Sequence, residues 1–398
     1  MTTAVIVDAV RSAGGKRNGK LSGWHPVDLA AAVLEALAAR NDLDPEMVED
    51  VIMGCVMQVG AQSINVGRNA VLAAGWPESV PATTIDRQCG SSQQAVHFAA
   101  QGVMSGAYDV VVAAGVEVMS LVPMGASAIV PGVGVPFGPT VAERYAAVGG
   151  LVPQGISAEL IADRWDLSRA DLDAFGARSQ QLAVRATEEG RFDQEIVPVA
   201  ARVKDKETGK IVATGETVTA DEGIRPGTTA ETLANLKPAF KPDGKITAGN
   251  SSQITDGASA ALIMSEERCA ALGLTPLARF HAFALAGVDP VTMLTGPIPA
   301  TRKVLEKAKL TIDDIDAVEI NEAFASVVLA WEQELRPDMS RVNVNGGAIA
   351  LGHPLGSSGT KLLATLVFEL GRSGGRYGLQ TMCEGGGLAN AMIIERLG

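Results

Sequence analysis

Cysteines, aromatic residues and long apolar runs are all scarce in this chain. Its 398 residues include four cysteines and no Cys-X-X-Cys pair, which excludes a disulfide framework and argues against a zinc site, so no metal is expected. No apolar run reaches the roughly 18 residues of a membrane span. The chain also lacks a secretory signal pattern, and its last residues, Leu-Gly, are not a peroxisomal address. These absences favour a reducing, cytoplasmic location.

A basic surface is also missing. The formal net charge is −12, which argues against a general nucleic-acid-binding protein but leaves room for a local basic patch that holds a phosphorylated ligand. Aromatic residues make up only 4% of the chain, whereas glycine occurs 44 times. This composition is typical of tightly packed α/β layers with many short turns. The length predicts two or three domains, or a duplicated fold.

Short β-branched runs alternate with helical patterns along the chain. Runs at 5–7, 51–56 and 110–114 predict buried strands, and the patterns at 26–40 and 93–104 predict helices. This alternation predicts a mainly parallel sheet that is covered by helices.

Two distant segments resemble copies of one unit. In each, Gly-Ser-Ser (90–92 and 356–358) opens a helix, and a strand that starts with tyrosine follows. A duplicated α/β half would place Cys89 and His353 at equivalent helix starts. Between the copies, residues 123–247 hold most of the proline-glycine turns and charged stretches, which predicts an inserted subdomain that covers a ligand.

Cys89 is the most informative single residue. It lies in the segment DRQCGSS at 86–92, just before an apolar, helix-like run. A cysteine at a helix start lies among unpaired backbone N–H groups at the positive end of the helix dipole. That setting favours the thiolate, which is the nucleophilic form. The alternative is an ordinary buried cysteine, which is how we interpret Cys55 and Cys269.

His353 is held in an irregular turn, LGHPLG at 351–356, rather than on a packed helical face. This position suits a general base towards a thiol, or an oxyanion partner. The alternative is a loop histidine whose ring nitrogens are satisfied by neighbours. Of the other three histidines, His97 falls within the helix after Cys89, and His25 and His281 lack a glycine setting, so we interpret all three as structural.

Two further residues lie at the ends of apolar runs. Cys383 ends a strand-like run and enters the triple glycine 385–387, whose N–H groups can bind an oxyanion. A second thiol there would suit proton abstraction, and the alternative is a tight strand–loop junction. Asn321 follows the run 317–320, and its amide can hold a water or an oxyanion, or simply cap a helix.

Together these segments resemble the thiolase family of acetyl-CoA C-acyltransferases over essentially the whole chain. The resemblance is carried by five motifs in the family's order, namely QCGSS at 88–92, ITAGNSS at 246–252, NEAFA at 321–325, GGAIALGHPLGSSG at 346–359 and CEGGG at 383–387.

The resemblance implies an α/β fold, in which two similar βαβαβαββ halves form a five-layered αβαβα core with an inserted loop domain. The N-terminal half is expected at 1–122 and is completed by 248–274. The loop domain over the CoA site is expected at 123–247, and the C-terminal half at 275–398.

The implied reaction is a ping-pong acyl transfer between CoA thioesters. Cys89 attacks the 3-keto carbon of a 3-ketoacyl-CoA, carbon–carbon cleavage releases acetyl-CoA, and a second CoA takes the acyl group. In the family, His353 activates Cys89 and Asn321 positions a water in the first oxyanion site. Cys383 is the acid/base, and the amides of Cys89 and Gly385 form the second oxyanion hole. CoA is a substrate, and no cofactor is implied.

The resemblance also assigns substrate contacts and an assembly. Ser252 matches a serine near the pantetheine, Arg225 and Thr232 fall near the nucleotide end, and Phe324 and Gln154 belong to the substrate site. The partners are acyl-CoA and CoA, and the family forms homodimers or homotetramers.

Two departures from the short-chain pattern of the family bear on the substrate. Pro153 and Gln154 stand where acetoacetyl-specific members carry histidine and methionine, and Glu384 stands where isoleucine or a similar residue is usual. These changes favour a degradative thiolase for longer or bulkier acyl groups, in fatty acid or sterol breakdown. The alternative is a biosynthetic acetoacetyl-CoA thiolase that condenses two acetyl-CoA molecules.

Three rival functions remain open. A ketoacyl synthase of the same fold uses one cysteine and no second catalytic cysteine, so Cys383 favours a thiolase. An inactive CoA- or lipid-binding module would have no need to keep all four candidate catalytic residues, Cys89, His353, Asn321 and Cys383. A cysteine hydrolase would turn over without CoA, and this requirement separates it from a thiolase.

Overall fold

A computed structural model describes residues 2–205 and 207–398 of the chain. Its strands, in chain order, are β1 (Ala4–Ser12), β2 (Gly15–Lys16), β3 (Asp50–Gly54), β4 (Ala82–Ile85), β5 (Val110–Val118), β6 (Ile196–Val197), β7 (Val199–Lys204), β8 (Ile211–Val218), β9 (Thr255–Ser265), β10 (Ala278–Gly287), β11 (Ala317–Ile320), β12 (Tyr377–Glu384) and β13 (Leu388–Arg396). The predicted strands at 5–7 and 110–114 are parts of β1 and β5, and the one at 51–56 overlaps β3, which ends at Gly54.

The helices, in the same order, are α1 (Pro26–Arg40), α2 (Val66–Ala73), α3 (Ser91–Ser105), α4 (Pro139–Tyr145), α5 (Gln154–Arg164), α6 (Arg169–Glu188), α7 (Ala230–Ala234), α8 (Glu266–Ala271), α9 (Pro297–Ala308), α10 (Ala325–Leu335), α11 (Ala348–Leu351) and α12 (Ser358–Ser373). The predicted helix at 26–40 matches α1, which starts at a proline in its first turn. The predicted helix at 93–104 is α3, which begins two residues earlier because Gly90 caps it.

The large sheet consists of two half-sheets with the same strand order. The path is β11-β12-β13-β10-β1-β9-β5-β3-β4. In the N-terminal half, β3 runs parallel to β5, and β9 runs antiparallel to both β5 and β1. In the C-terminal half, β11, β12, β13 and β10 repeat this arrangement strand for strand. The repeated order agrees with the repeat seen in the sequence, since α3 precedes β5 and α12 precedes β12.

The prediction of a mainly parallel sheet is wrong. Among the described residues, six of the ten strand pairings in the large sheet are antiparallel. The last strand of each half returns against its neighbour, and the short turn at 385–387 allows β13 only an antiparallel pairing with β12.

Five layers follow from which face of each strand is apolar. On β1, Val5 and Val7 pack with α1 and α2, whereas Ile6 points to the other face and packs with α3 and α12. On β13, Ile394 packs with α3 and α12, and Ile393 packs with α9 and α10. The order is therefore outer helices, half-sheet, central helices, half-sheet and outer helices, which confirms the predicted αβαβα core.

The two central helices approach each other closely. A Cβ atom on Gly359 of α12 would lie 2.0 Å from the backbone nitrogen of Gln93 in α3, so the helices pack backbone to backbone at this point. Their starts are thereby held together, and these starts carry the segments with Cys89 and His353. Strands β7 and β8 pair antiparallel as a separate two-stranded sheet. None of the described helices is long and apolar enough to cross a membrane.

Candidate active site

Cys89 lies in a tight turn between β4 and α3. Gln88, directly before it, has φ 49°, a left-handed conformation that is uncommon for a residue other than glycine. The turn is fixed by Ser91, whose hydroxyl accepts from the Arg87 amide at 2.9 Å and donates to the Gln88 carbonyl at 2.6 Å. This arrangement presents the Cys89 side chain at the N-terminal end of the helix.

Three groups face the Cys89 sulphur. The Gln154 side chain and the backbone amide of Gly385 both favour its thiolate form. The second cysteine, Cys383, is near enough for its pKa to be raised by the charge of Cys89. The structure thus brings together residues from three segments that lie far apart in the sequence.

Burial sets the ionisation of both thiols. The pKa of Cys89 is raised to about 12, chiefly by burial and further by the carboxyl group of Glu384, against the opposing effect of Gln154 and the Gly385 amide. Burial likewise raises the pKa of Cys383 well above its ordinary value. The prediction that the helix start lowers the pKa of Cys89 is therefore wrong, because removal from water outweighs the hydrogen bonds that favour the thiolate. Cys89 is a thiol at neutral pH and needs a base.

The ring of His353 is oriented by hydrogen bonds at both nitrogens. Its Nδ1 lies 2.6 Å from the Ser358 hydroxyl oxygen. That hydroxyl donates its only proton to the Pro354 carbonyl at 2.8 Å, so it must accept from Nδ1–H. Nε2 is then the unprotonated nitrogen, and it accepts from the Asn321 amide at 3.4 Å.

Burial keeps this imidazole neutral. Together with the nearby ammonium of Lys361, it lowers the pKa of His353 to about 3. The same ammonium donates to the Leu351 and Gly352 carbonyls at 2.5 and 3.1 Å, which holds the turn before His353 in place. A neutral imidazole with an unprotonated Nε2 has the form of a general base.

Asn321 and the His353 turn are held together by the buried carboxylate of Glu322. It accepts from Ser179 at 2.6 Å, from the Asn343 amide at 3.0 Å and from the Ile349 backbone at 3.2 Å. Asn321 itself follows β11, and its side-chain oxygen is buried without a hydrogen-bond partner among the described residues. That oxygen is free to accept from a water or a ligand.

Cys89 and residues next to His353 and Cys383 meet in one apolar cluster. Leu355, two residues after His353, packs with Cys89 and with Met382, the residue before Cys383. Over the described part of the chain, no hydrogen bond joins His353 to Cys89 directly.

The other predicted substrate residues divide between two places. The Ser252 amide donates to the Ala323 carbonyl at 3.0 Å, beside Asn321, and the adjacent Phe324 packs edge-on against Phe240. Arg225 and Thr232 line a surface cavity of about 230 Å³. The loop that leads to Ser252 forms part of the wall of this cavity, through Gly249.

Two site features were missed from the sequence. Ser358 appeared only as part of the repeated Gly-Ser-Ser, although its position five residues after a turn histidine is a possible signal. Gln88 gave no signal, because its backbone conformation is imposed by the turn.

Comparison with known proteins places this geometry in a family. The model of the thiolase N-terminal domain matches residues 4–267, and that of the thiolase C-terminal domain matches 274–396. Over its full length, the chain is 50% identical to a steroid 3-ketoacyl-CoA thiolase, FadA6, of Mycobacterium tuberculosis, of which it covers 95%. It is 46% identical to a β-ketoadipyl-CoA thiolase of Escherichia coli, with complete coverage of both chains.

A solved structure gives the same result. The crystal structure of the Bacillus anthracis acetyl-CoA acetyltransferase superposes with a TM-score of 0.89 at 41% identity, covering 100% of this chain and 99% of that one. The chain therefore belongs to the thiolase family of acyltransferases.

Proposed function

We propose that this enzyme cleaves 3-ketoacyl-CoA with CoA, giving acetyl-CoA and a shortened acyl-CoA, through an acyl group carried on Cys89. The observation that carries the proposal is the position of the Cys89 sulphur, which faces the Gly385 amide and lies beside a second thiol, Cys383. A nucleophile, an amide donor and a proton carrier are what cleavage next to a thioester requires.

The proposed first half-reaction begins with proton transfer from Cys89 to Nε2 of His353. The thiolate attacks the C3 carbonyl, the bond between C2 and C3 breaks, and the electron pair moves onto the acetyl-CoA enolate. Cys383 gives its proton to C2 of this enolate, while the amides of Cys89 and Gly385 hold the oxygen of the acyl group that Cys89 carries. In the second half-reaction a CoA thiol loses its proton to the Cys383 thiolate and attacks the acyl group on Cys89. The Cys89 thiolate leaves and takes its proton back from His353.

His353 and Asn321 act on the other carbonyl in this proposal. The support is the free Asn321 side-chain oxygen, which can hold a water against the thioester oxygen of the acetyl-CoA enolate, and the fixed ring of His353. Their 3.4 Å contact orients the two groups relative to each other.

We place CoA along the groove between Ser252 and the cavity lined by Arg225 and Thr232. The half-buried Ser252 lies at the inner end, beside Phe324, and the exposed guanidinium of Arg225 suits a phosphate at the outer end. The region 123–247 would then cover the bound substrate as an inserted loop domain between halves at 1–122, completed by 248–274, and 275–398.

The substrate we favour is a longer or bulkier 3-ketoacyl-CoA from a degradative route. A relative named for steroid 3-ketoacyl-CoA is 50% identical to this chain, while two named acetyl-CoA acetyltransferase are 44% identical. Gln154 contacts the Cys89 sulphur, so its side chain lies next to the place where the acyl group on Cys89 would be held. We propose a cytoplasmic homodimer or homotetramer, consistent with four cysteines that are all free and buried.

The test is CoA-dependent cleavage of a panel that runs from acetoacetyl-CoA to long-chain and sterol-derived 3-ketoacyl-CoA. We expect the highest kcat/KM on bulky substrates, and a loss of at least about 1,000-fold in Cys89→Ala. Cys269→Ala is the matched control, because Cys269 is also buried but lies on α8, away from the site. Activity confined to acetoacetyl-CoA would support the biosynthetic alternative, and turnover without CoA would show a hydrolase.

A further inference from the structure

Glu384, between Cys383 and Gly385, is a buried acid to which the proposed mechanism gives no role. Its side chain is fully buried, and neither carboxyl oxygen has a hydrogen-bond partner among the described residues. A carboxylate removed from water without a donor or a cation is strongly destabilised.

Its carboxyl group lies directly beneath the start of α3. A Cβ atom on Gly90 would lie 2.0 Å from Oε1 of Glu384 and 2.8 Å from the Asn390 amide nitrogen. That amide donates to the Gly90 carbonyl at 3.0 Å, while the Asn390 side-chain oxygen is also buried without a donor. Two buried acceptors therefore lie beside the residue that follows Cys89.

Two other buried glutamates of the chain show which hydrogen-bond donors accompany a buried carboxylate in this fold. Glu395, on the adjacent strand β13, accepts from Arg279 at 2.8 Å and from Arg376 at 2.8 and 2.9 Å. Glu117 accepts from three backbone amides and from the Gln62 side chain. Glu384 has neither arrangement, so the way to satisfy it is to leave its proton in place.

The charged and titratable groups around Glu384 belong to two elements. From the turn before α3, Arg87 favours its ionised form and Asp86 opposes it, and burial prevails over both, so the pKa of Glu384 is raised to about 8. The ionisation of Glu384 affects both cysteines, since a negative charge on Glu384 raises the pKa of Cys89 and of Cys383.

We propose that Glu384 is a positioning residue that stays protonated at neutral pH, so that no negative charge opposes thiolate formation at Cys89. The effect of Glu384 on catalysis rests on the proposed function, whereas its protonation does not. The retained proton serves as a donor towards the orphaned acceptor of Asn390. When the proton is lost at alkaline pH, the carboxylate opposes ionisation of Cys89 through space.

Infrared difference spectroscopy tests the protonation itself. The spectrum of wild type minus Glu384→Gln at neutral pH should contain the C=O band of one carboxylic acid, and the band should disappear as the pH is raised past about 9. Glu395→Gln is the matched control, because its doubly paired carboxylate should contribute no acid band. Glu384→Leu provides a second neutral variant if the glutamine does not fold.

Alkylation of Cys89 by iodoacetamide, followed by peptide mapping, tests the effect on the nucleophile. Near neutral pH the Glu384→Gln and wild-type rates should agree within about 3-fold, and above about pH 9.5 the variant should react about 10-fold faster, as expected for removal of one nearby charge. A missing acid band, or a rate ratio that does not change with pH, would overturn the proposal. Neither measurement needs thiolase turnover, so failure of the proposed function would be seen separately.

Discussion

The Ser358 hydroxyl offers a sharp test of how His353 is prepared for catalysis. The hydroxyl proton is committed to the Pro354 carbonyl, so the oxygen can only accept from Nδ1–H of His353, at 2.6 Å. Ser358→Ala removes this acceptor and leaves a buried N–H without a partner. The other tautomer then becomes competitive, and in that tautomer Nε2 carries the proton and cannot accept one from Cys89.

The expected loss follows from the cost of the unpaired donor. Leaving one buried donor unsatisfied costs about 1–3 kcal/mol. If this cost is added to the activation free energy of the step in which His353 takes the proton, kcat decreases by roughly 5- to 150-fold. The assay is kcat for CoA-dependent cleavage of the best panel substrate, together with the rate of Cys89 alkylation at the same pH.

The matched control for Ser358→Ala is Ser357→Ala. Ser357 is the adjacent residue, is equally buried, and its hydroxyl contacts Ser259 at 2.7 Å rather than His353. We expect this variant to lose stability but to keep its kcat. A folded Ser358→Ala variant with wild-type kcat and alkylation rate would refute the argument that Ser358 fixes the tautomer.

Two further predictions concern packing and pH. In Gly90→Ala the new methyl group would collide with the Glu384 carboxyl at 2.0 Å, and we expect about 1–3 kcal/mol lower stability by chemical denaturation. Gly371→Ala, in open space on α12, is the control and should be neutral or stabilising. Burial lowers the pKa of His97 to about 3. Below pH 6.5, His97 is therefore protonated in the unfolded chain but stays neutral in the folded one. Stability should therefore fall with decreasing pH by about 1.4 kcal/mol per pH unit from this residue, and His97→Gln, which cannot titrate, should show a correspondingly shallower pH dependence. An unchanged slope would show that His97 is protonated in the fold.

The sequence predicted the elements of the core better than their arrangement. The apolar periodicity identified α1 and β11 with their observed limits, because Pro26 starts the helix and the run 317–320 is bounded by polar residues. It did not predict strand direction, since periodicity describes one strand's faces and carries no information about its neighbours. The antiparallel return of β9 and β13 depends on which strand each of them pairs with inside its own half.

For the site, the motifs identified the residue types but not their ionisation. The start of α3 next to Cys89 was visible in the sequence. The pKa of Cys89, however, depends on burial and on Glu384, which approaches Cys89 only in the folded chain. The hydrogen bond from His353 to Ser358 depends on the short turn between them, and the left-handed Gln88 depends on the Ser91 contacts. Such effects arise from tertiary contacts and are invisible to composition or spacing.

The central claim is that the acyl group passes through Cys89, and mass spectrometry of the trapped intermediate tests it most directly. The enzyme would be mixed with a 3-ketoacyl-CoA in the absence of free CoA, quenched in acid and digested. We predict the mass of one acyl group on the peptide that contains Cys89, its disappearance when CoA is added, and its absence from Cys89→Ala. An acyl group on another residue, or full turnover with Cys89 unmodified, would contradict the account.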